Sequence, residues 1–333
     1  MPSPSQSGLP ASPGAGPGFW SLRSRPTGRW RLRTALVLVP WIWFLVRDAW
    51  PPLNVGSVAM PAIAVLGGAA LVVGAAATRR LFPLAVAVSL IAMTAVTVIA
   101  PVMPQAAIPI TSPLTIASAN IYSSNRTPQA AADALAATGA DVLVAVETPL
   151  GFADLLGSAA GASHPYDAVG AEIVIRSAFP IQVLSAPPGV AVDRVLVAAV
   201  RPPAGESFTL FAVHLINPIE ESSFSYQQAV IHRLDQRALD LGRTSPVVIA
   251  GDLNLSDRTH GYRILSTDFR DAMRAGAWAG DTYLQGIWRF ALLRIDHLFL
   301  SRTWCAADPS RFEVPGSDHE GIRATIGPCL LSK

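Results

Sequence analysis

Val247-Val248-Ile249-Ala250-Gly251-Asp252-Leu253-Asn254 reads as a short apolar strand running straight into a carboxylate and an amide. Four apolar residues bounded by turn residues suit a fully buried strand. The glycine lets the backbone turn tightly and come close to a ligand. The same grammar recurs on either side of this stretch. Asn120 ends the apolar run 114–120, Glu147 follows 141–146, and His214 ends 208–214. Asp296 lies in Arg294-Ile295-Asp296-His297-Leu298, and Gly316-Ser317-Asp318-His319 precedes the run 321–326. Runs 172–176 and 192–200 complete eight expected strands. Thr127 as N-cap with Pro128 at the first helical position opens an Ala-rich helix to about Thr138. Residues 222–241 form a second helix, with Tyr226, Val230, Leu234 and Ala238 on one face. No repeat is visible, so residues 114–333 read as one α/β domain.

An Asp or Asn after a strand is ordinarily a turn or cap. Six polar strand ends in one domain are better explained by a shared site, because ligands bind where strand ends gather. Carboxylate and amide oxygens suit a hard cation such as Mg²⁺, with Mn²⁺ as the alternative. Zinc is disfavoured, since neither a His-Glu-x-x-His nor a Cys-x-x-Cys spacing occurs. Two histidines beside carboxylates suit proton transfer or stabilisation of phosphate charge. Of the other histidines, His164 reads as a loop residue, His232 as exposed on a helix, and His260 as a helix start. His297 follows Asp296 on a strand and is expected on the opposite face, in a structural role.

The ordered series Asn120, Glu147, His214, Gly251-Asp252-Leu253-Asn254, Asp296 and Ser317-Asp318-His319 resembles the endonuclease/exonuclease/phosphatase superfamily. That superfamily includes DNase I, apurinic endonucleases, inositol-polyphosphate phosphatases and neutral sphingomyelinases. The resemblance covers about residues 114–327. Phe179-Pro180-Ile181 also fits, although Arg176-Ser177 inverts the usual order. It implies a four-layered α/β sandwich of DNase I type and Mg²⁺-dependent hydrolysis of a phosphate ester or anhydride. By the same resemblance, Glu147, Asn120 and Asp318 would serve the metal. Asp252 would orient or deprotonate the attacking water, and Asn254 would hold a phosphate oxygen. His319, polarised by Asp296, and His214 would act on the phosphate or leaving group. Asp252 and His319 are both candidates for the base.

The N-terminal third is of another kind. The chain is 51% hydrophobic and only 14% charged, where about a quarter is usual, which excludes a disordered or collagen-like protein. Residues 55–77 and 81–103 are free of charge, and each is long enough to cross a hydrocarbon core of about 30 Å. Residues 34–46 make a shorter first span, with Arg47 placed to snorkel and Trp41, Trp43 and Trp50 placed for the interface. The expectation is three transmembrane helices within residues 34–103, preceded by a basic tail (1–33) whose first 18 residues read as disordered, and followed by a Pro-rich extended tether (104–113). Arginines at 23, 25, 29, 31, 33, 79 and 80 place the N-terminus in the cytoplasm and everything after Met103 outside it. A cleaved signal peptide at 20–50 is the rival, but no small-residue cleavage site is seen.

The formal charge of +2 conceals a split: net +7 before residue 104 and net −5 after it. A domain that grips polyphosphate needs Lys and Arg, so nucleic acid is disfavoured as partner. Membrane lipids and a lipid-phosphate substrate are the favoured partners; oligomeric state is not legible. Three spans followed by such a domain also resemble the VanJ-type membrane proteins of actinomycetes, linked to teicoplanin resistance. That resemblance implies a phosphatase acting on undecaprenyl pyrophosphate in cell-wall metabolism. Alternatives are a phospholipase- or sphingomyelinase-like phosphodiesterase, an extracytoplasmic nuclease, and an inactive ligand-binding domain. Cys305 and Cys329 flank the Ser317–His319 motif, and outside the cytoplasm they are expected to form a disulfide holding that loop.

Overall fold

The computed structural model describes residues 27–47, 50–79, 81–191, 193–286 and 292–330. The expected disordered tail, Asp48, Arg80 and Lys333 lie outside the described residues. In chain order the elements are α1 (Thr27–Val46), α2 (Pro51–Thr78), α3 (Leu81–Thr94), β1 (Leu114–Asn120), α4 (Pro128–Ala137), β2 (Val142–Val146), α5 (Phe152–Ala160), β3 (Tyr166–Val169), β4 (Ile173–Ser177), β5 (Ile181–Leu184), β6 (Val195–Val200), β7 (Phe208–His214), α6 (Glu221–Gly242), β8 (Val247–Asp252), α7 (His260–Asp268), β9 (Phe269–Asp271), β10 (Asp296–Ser301), β11 (Trp304–Glu313) and β12 (Glu320–Pro328).

The strands form two six-stranded mixed sheets, ordered β11-β12-β1-β2-β4-β3 and β5-β6-β7-β8-β10-β9. Alternate side chains of the first sheet, such as Ile116, Val144 and Ile175, meet Leu210, Ala212, Val248 and Leu298 of the second in the central core. The other face of the first sheet packs through Leu143 and Val174 on Leu135, Phe152 and Leu156 of α4 and α5. The other face of the second packs through Ile249 and Phe299 on Val230, Leu234 and Leu265 of α6 and α7. Helix, sheet, sheet, helix: this is the four-layered α/β sandwich of DNase I type. Each large apolar side chain so buried contributes about 1.5–3 kcal/mol.

All eight expected strands are interior strands of these sheets. The four not foreseen, β3, β5, β9 and β11, are the sheet edges. An interior strand covered on both faces needs a continuous apolar run, and an edge strand does not. β11 shows this, since beyond Ala306 it is mostly exposed and carries a register shift between Ala307 and Ser310. Thr127 does occupy the position before α4, but it makes no side-chain cap bond among the described residues. Its hydroxyl is engaged by Asn125 Oδ1 at 3.2 Å instead.

α3 continues through a π turn and a 3₁₀ turn to Val102. Leu81–Val102 is the one helix among the described residues that is long and apolar enough to cross a membrane; Val37–Val46 and Leu66–Thr78 are shorter apolar stretches. Two tryptophans bond to neighbouring helices. Trp41 Nε1 donates to Ser89 Oγ on α3 (2.9 Å), and Trp43 Nε1 donates to the Leu53 carbonyl on α2 (3.1 Å). Arg47 folds back over the Phe44 ring at 4.1 Å rather than reaching away. Residues 104–113 contain no helix, as their prolines require, and they are pinned to the domain. Gln105 N donates to Arg274 O, Thr111 N to Pro328 O, and Leu330 N to Pro109 O.

Candidate active site

Strand direction explains why the polar residues meet. β1–β2 and β7–β8 are the parallel pairs, so their carboxyl ends share one rim. β10 is antiparallel to β8 with Asp296 opposite Asp252, and β12 is antiparallel to β1, so these two bring their starts to that rim. Asn120, Glu147, His214 and Asp252 therefore come from strand ends, and Asp296 and His319 from strand starts. Asn120 Nδ2 donates to Asp252 Oδ2 at 3.0 Å, crossing from one sheet to the other.

The backbone is specialised here. Gly251 has φ 136°, and a Cβ on it would lie 2.0 Å from the Val213 carbonyl oxygen. The close approach that the glycine permits here is to the neighbouring strand. Glu147 (φ 50°) and Asn254 (φ 49°) both adopt left-handed conformations, each at a cost of about 1–3 kcal/mol that the surrounding bonds must hold in place.

Two histidine systems face each other across Asp252. His214 Nε2 lies 2.9 Å from Glu147 Oε1, and its Nδ1 lies 2.9 Å from Glu172 Oε1. A carboxylate oxygen accepts, so this geometry suits a proton on each ring nitrogen of His214. Burial opposes the charge of that form, but the Glu147 hydrogen bond and the charges of Asp252, Glu147 and Glu172 raise its pKa above the ordinary value. Arg194 Nη1 also lies 2.9 Å from Glu172 Oε1, and its 3.3 Å approach to His214 Nδ1 follows from sharing that oxygen. Burial likewise opposes ionisation of Glu147, yet His214 and Asn120 outweigh it and hold the carboxyl at about 2.

In the second system His319 Nδ1 donates to Asp296 Oδ2 at 2.8 Å, leaving Nε2 3.9 Å from Asp252 Oδ2. Burial would lower the His319 pKa, but the Asp296 charge and hydrogen bond, with Asp252 and Asp318, push it up to about 10. Asp252 is pushed up to about 6 by burial and the Asp296 charge, against the pull of His319 and His214. Asn254 is oriented by Nδ2 donating to Leu215 O (2.8 Å), and its backbone N donates to Asp252 Oδ1 (2.8 Å). Ser317 Oγ donates to Asn120 O (2.8 Å) and accepts from His319 N (3.0 Å), tying the motif loop to β1.

Asp252 belongs to two groups of converging ligand atoms, one with Glu147 and His214, the other with Asp296 and His319. Asp296 Oδ1 is buried without a hydrogen-bond partner among the described residues. Orphaned carboxylate oxygen beside further carboxylate and amide oxygens is the donor chemistry of a hard divalent cation, so the residues fit one. Asp318 is half-buried on the same rim but stands outside those two groups. Its carboxyl is raised mainly by burial.

Sequence reasoning missed Glu172, Arg194, Thr282 and Tyr283. Glu172 and Arg194 each directly precede an apolar strand, the signal that marked Asp296 only through its motif. Thr282 Oγ1 accepts from the backbone N of both Ile295 and Asp296 (3.1 Å each). The Tyr283 ring packs edge-on against His319, with centroids 5.0 Å apart. Neither had a sequence signal, because both lie in an irregular loop. His297 is buried on the opposite face, donating from Nε2 to Leu255 O (2.6 Å). His260 lies edge-on to His232, with ring centroids 6.4 Å apart. His164, expected in a loop, is buried and donates from Nε2 to Ala140 O (2.8 Å).

Comparison with known proteins agrees with this geometry. Similar solved structures include an endonuclease/exonuclease/phosphatase protein from Beutenbergia cavernae (17% identity, TM-score 0.51, covering 65% of this chain and 72% of that one). They also include D. rerio TDP2 complexed with single-strand DNA product (17%, 0.53, 65% and 100%) and the Bacteroides thetaiotaomicron mannosyl-6-phosphatase (17%, 0.50, 64% and 99%). At such identities the likeness is one of fold. No curated protein matches the chain. The profile of the Endonuclease/Exonuclease/phosphatase family matches residues 117–319, more than half of the chain. The chain therefore belongs to the endonuclease/exonuclease/phosphatase family, whose members are divalent-metal-dependent phosphoester hydrolases.

Proposed function

We propose that the protein is a membrane-anchored, Mg²⁺-dependent phosphoesterase that acts outside the cytoplasmic membrane on a lipid-linked phosphate. Undecaprenyl pyrophosphate is the favoured substrate, in the manner of the VanJ-type proteins it resembles. The observation that carries the reading is the junction between anchor and catalytic domain. The end of α3 is bonded to the domain, with Arg274 Nε donating to Met103 O (3.0 Å) and Ala279 N donating to Val102 O (3.1 Å). α2 meets it near its start, where Val58 packs on Leu293 and Ile295. These are the helix ends that the arginine distribution assigns to the exterior. The Cys305–Cys329 disulfide supports the same side, since such bonds persist in oxidising compartments. A net charge of −5 after residue 103 argues against a nucleic-acid substrate.

Glu147, Asp252 and Asn120 would hold the metal, which would supply charge neutralisation at the phosphate when bound. The protein's own groups do the rest. Asp296 keeps His319 protonated, which leaves Nε2–H to stabilise the phosphoryl charge rather than to accept a proton. Asp252, raised towards neutrality, orients the attacking water and takes its proton. His214, fixed between Glu147 and Glu172, offers charge to the phosphate or leaving group, and Asn254 holds a phosphate oxygen.

The test is a substrate panel on detergent-solubilised full-length protein with Mg²⁺, comparing undecaprenyl pyrophosphate, phospholipids, single-stranded DNA and a sugar phosphate. Phosphate release confined to the pyrophosphate is expected. Preferred cleavage of DNA would overturn the substrate assignment.

A further inference from the structure

The segment between β9 and β10 joins the anchor to the catalytic pair. Its middle makes isolated β-bridges beside the site. Tyr283 bridges to both Leu293 and His319, Leu284 N donates to Asp318 O (2.9 Å), and Glu320 N donates to Thr282 O (2.8 Å). Its two flanks touch the membrane-side helices. On one flank Ala279 binds Val102 at the end of α3. On the other, Leu293 and Ile295 pack with Tyr283 against Val58 of α2. Arg258, itself buried, clamps that flank by donating from Nη1 to Val58 O (3.4 Å) and from Nη2 to Leu292 O (2.6 Å).

At each flank the residue next to the contact carries a large apolar side chain into the open. Trp278, immediately before Ala279, is 60% exposed, and Leu292, immediately before Leu293, is 50% exposed. Single exposed apolar residues are ordinary on a protein surface. These two are distinguished by position, each beside the point where the domain meets a helix end. The helices carry their own exposed apolar side chains, among them Leu66 and Val73 on α2 and Leu84 and Val88 on α3. A tryptophan at that level has the amphipathic ring that favours the membrane–water interface.

We infer that Trp278 and Leu292 seat the β9–β10 segment in the headgroup layer of the bilayer, so that the wall of the active site formed by Tyr283 and His319 opens along the lipid surface. The inference rests on reading α1–α3 as membrane-spanning and deepens the proposed function. The substrate class becomes an amphiphile whose phosphate reaches His319 while its chain stays in lipid.

The experiment uses the full chain in phosphatidylcholine/phosphatidylglycerol nanodiscs. With both native cysteines in the disulfide, Trp278→Cys, Leu292→Cys, Leu84→Cys and Val183→Cys each offer one thiol to an environment-sensitive fluorophore. Val183 is the control, 56% exposed on β5 at the sheet edge opposite β9. Doxyl-labelled lipids should quench the labels at 278 and 292 at least about twofold more than the label at 183, as expected for side chains within about 10 Å of the headgroup boundary. If 84 is quenched while 278 and 292 match 183, the inference is overturned and the anchor stands. If 84 is not quenched either, the anchor reading fails and takes the inference with it. No catalysis enters the readout, so the identity of the hydrolysed phosphate does not affect it.

Discussion

His214 is flanked by two carboxylates, and His319 is bonded to one, with Asp252 between the two systems. The pairing makes the residues interdependent. Asp296→Asn should leave the His319 ring in place but lower its pKa from about 10, and turnover should fall about 10²–10⁴-fold with a new loss of activity on the alkaline side. A pH–rate profile of the variant checks this, and an unchanged profile would remove His319 from the mechanism as described. Glu172→Gln tests a group whose carboxylate, among the described residues, pairs with His214 and Arg194. Turnover is expected to drop about 10–100-fold with KM nearly unchanged, because His214 loses charge compensation and orientation rather than contact with substrate. Of the candidate residues, those inside strand-end motifs were legible from the sequence. Glu172 and Arg194 were not, since an acid or arginine ahead of a strand points to a site only once the strand's direction is known.

Among the elements, β10 owes its placement to a buried ionic cluster behind it. Arg294 Nη2 donates to Asp271 Oδ2 (2.7 Å) and to the Tyr262 hydroxyl (3.2 Å), while its Nε lies 3.5 Å from Asp257 Oδ2. Arg294→Met would leave two buried carboxylates without their shared cation, and a loss of about 3–5 kcal/mol is expected in denaturant unfolding of the solubilised protein. The β11–β12 hairpin shows where the sequence reading of the cysteines needed correction. Cys305 and Cys329 do form a disulfide, but it closes the base of the hairpin, while Ser317–His319 lie at its tip. The bond therefore stabilises the pairing of β11 with β12 rather than holding the active-site loop. Cys305→Ser with Cys329→Ser should lower the melting temperature, by the equivalent of about 2–4 kcal/mol, while the metal-dependent turnover of the folded fraction persists.

For the whole molecule, one contribution to the pH response of stability comes from a buried neutral histidine. Burial, then the Arg294 charge, depress the His297 pKa from 6.5 to about 4. At this side chain the unfolded state therefore binds more protons than the folded one between those values. This contribution is complete above pH 6.5 and is lost as pH falls through the window towards 4, by at most about 3 kcal/mol. His297→Gln keeps a donor for Leu255 O without the titration. The difference in melting temperature between wild type and variant should therefore narrow from pH 7 to pH 4, and a constant difference would contradict the assignment.

The residues by themselves determined the eight interior strands, the order of the polar strand ends and the apolar character of the N-terminal third. Each depends on burial, and burial writes itself into local sequence as unbroken apolar runs. Only the tertiary structure decided the edge strands, the partners Glu172, Arg194, Thr282 and Tyr283, and the meeting of the catalytic rim with the ends of α2 and α3. Edge strands leave weak apolar patterns because solvent covers part of them. Contacts between residues far apart in the chain leave none, because they arise from the packing direction of elements and not from any residue's neighbours in sequence.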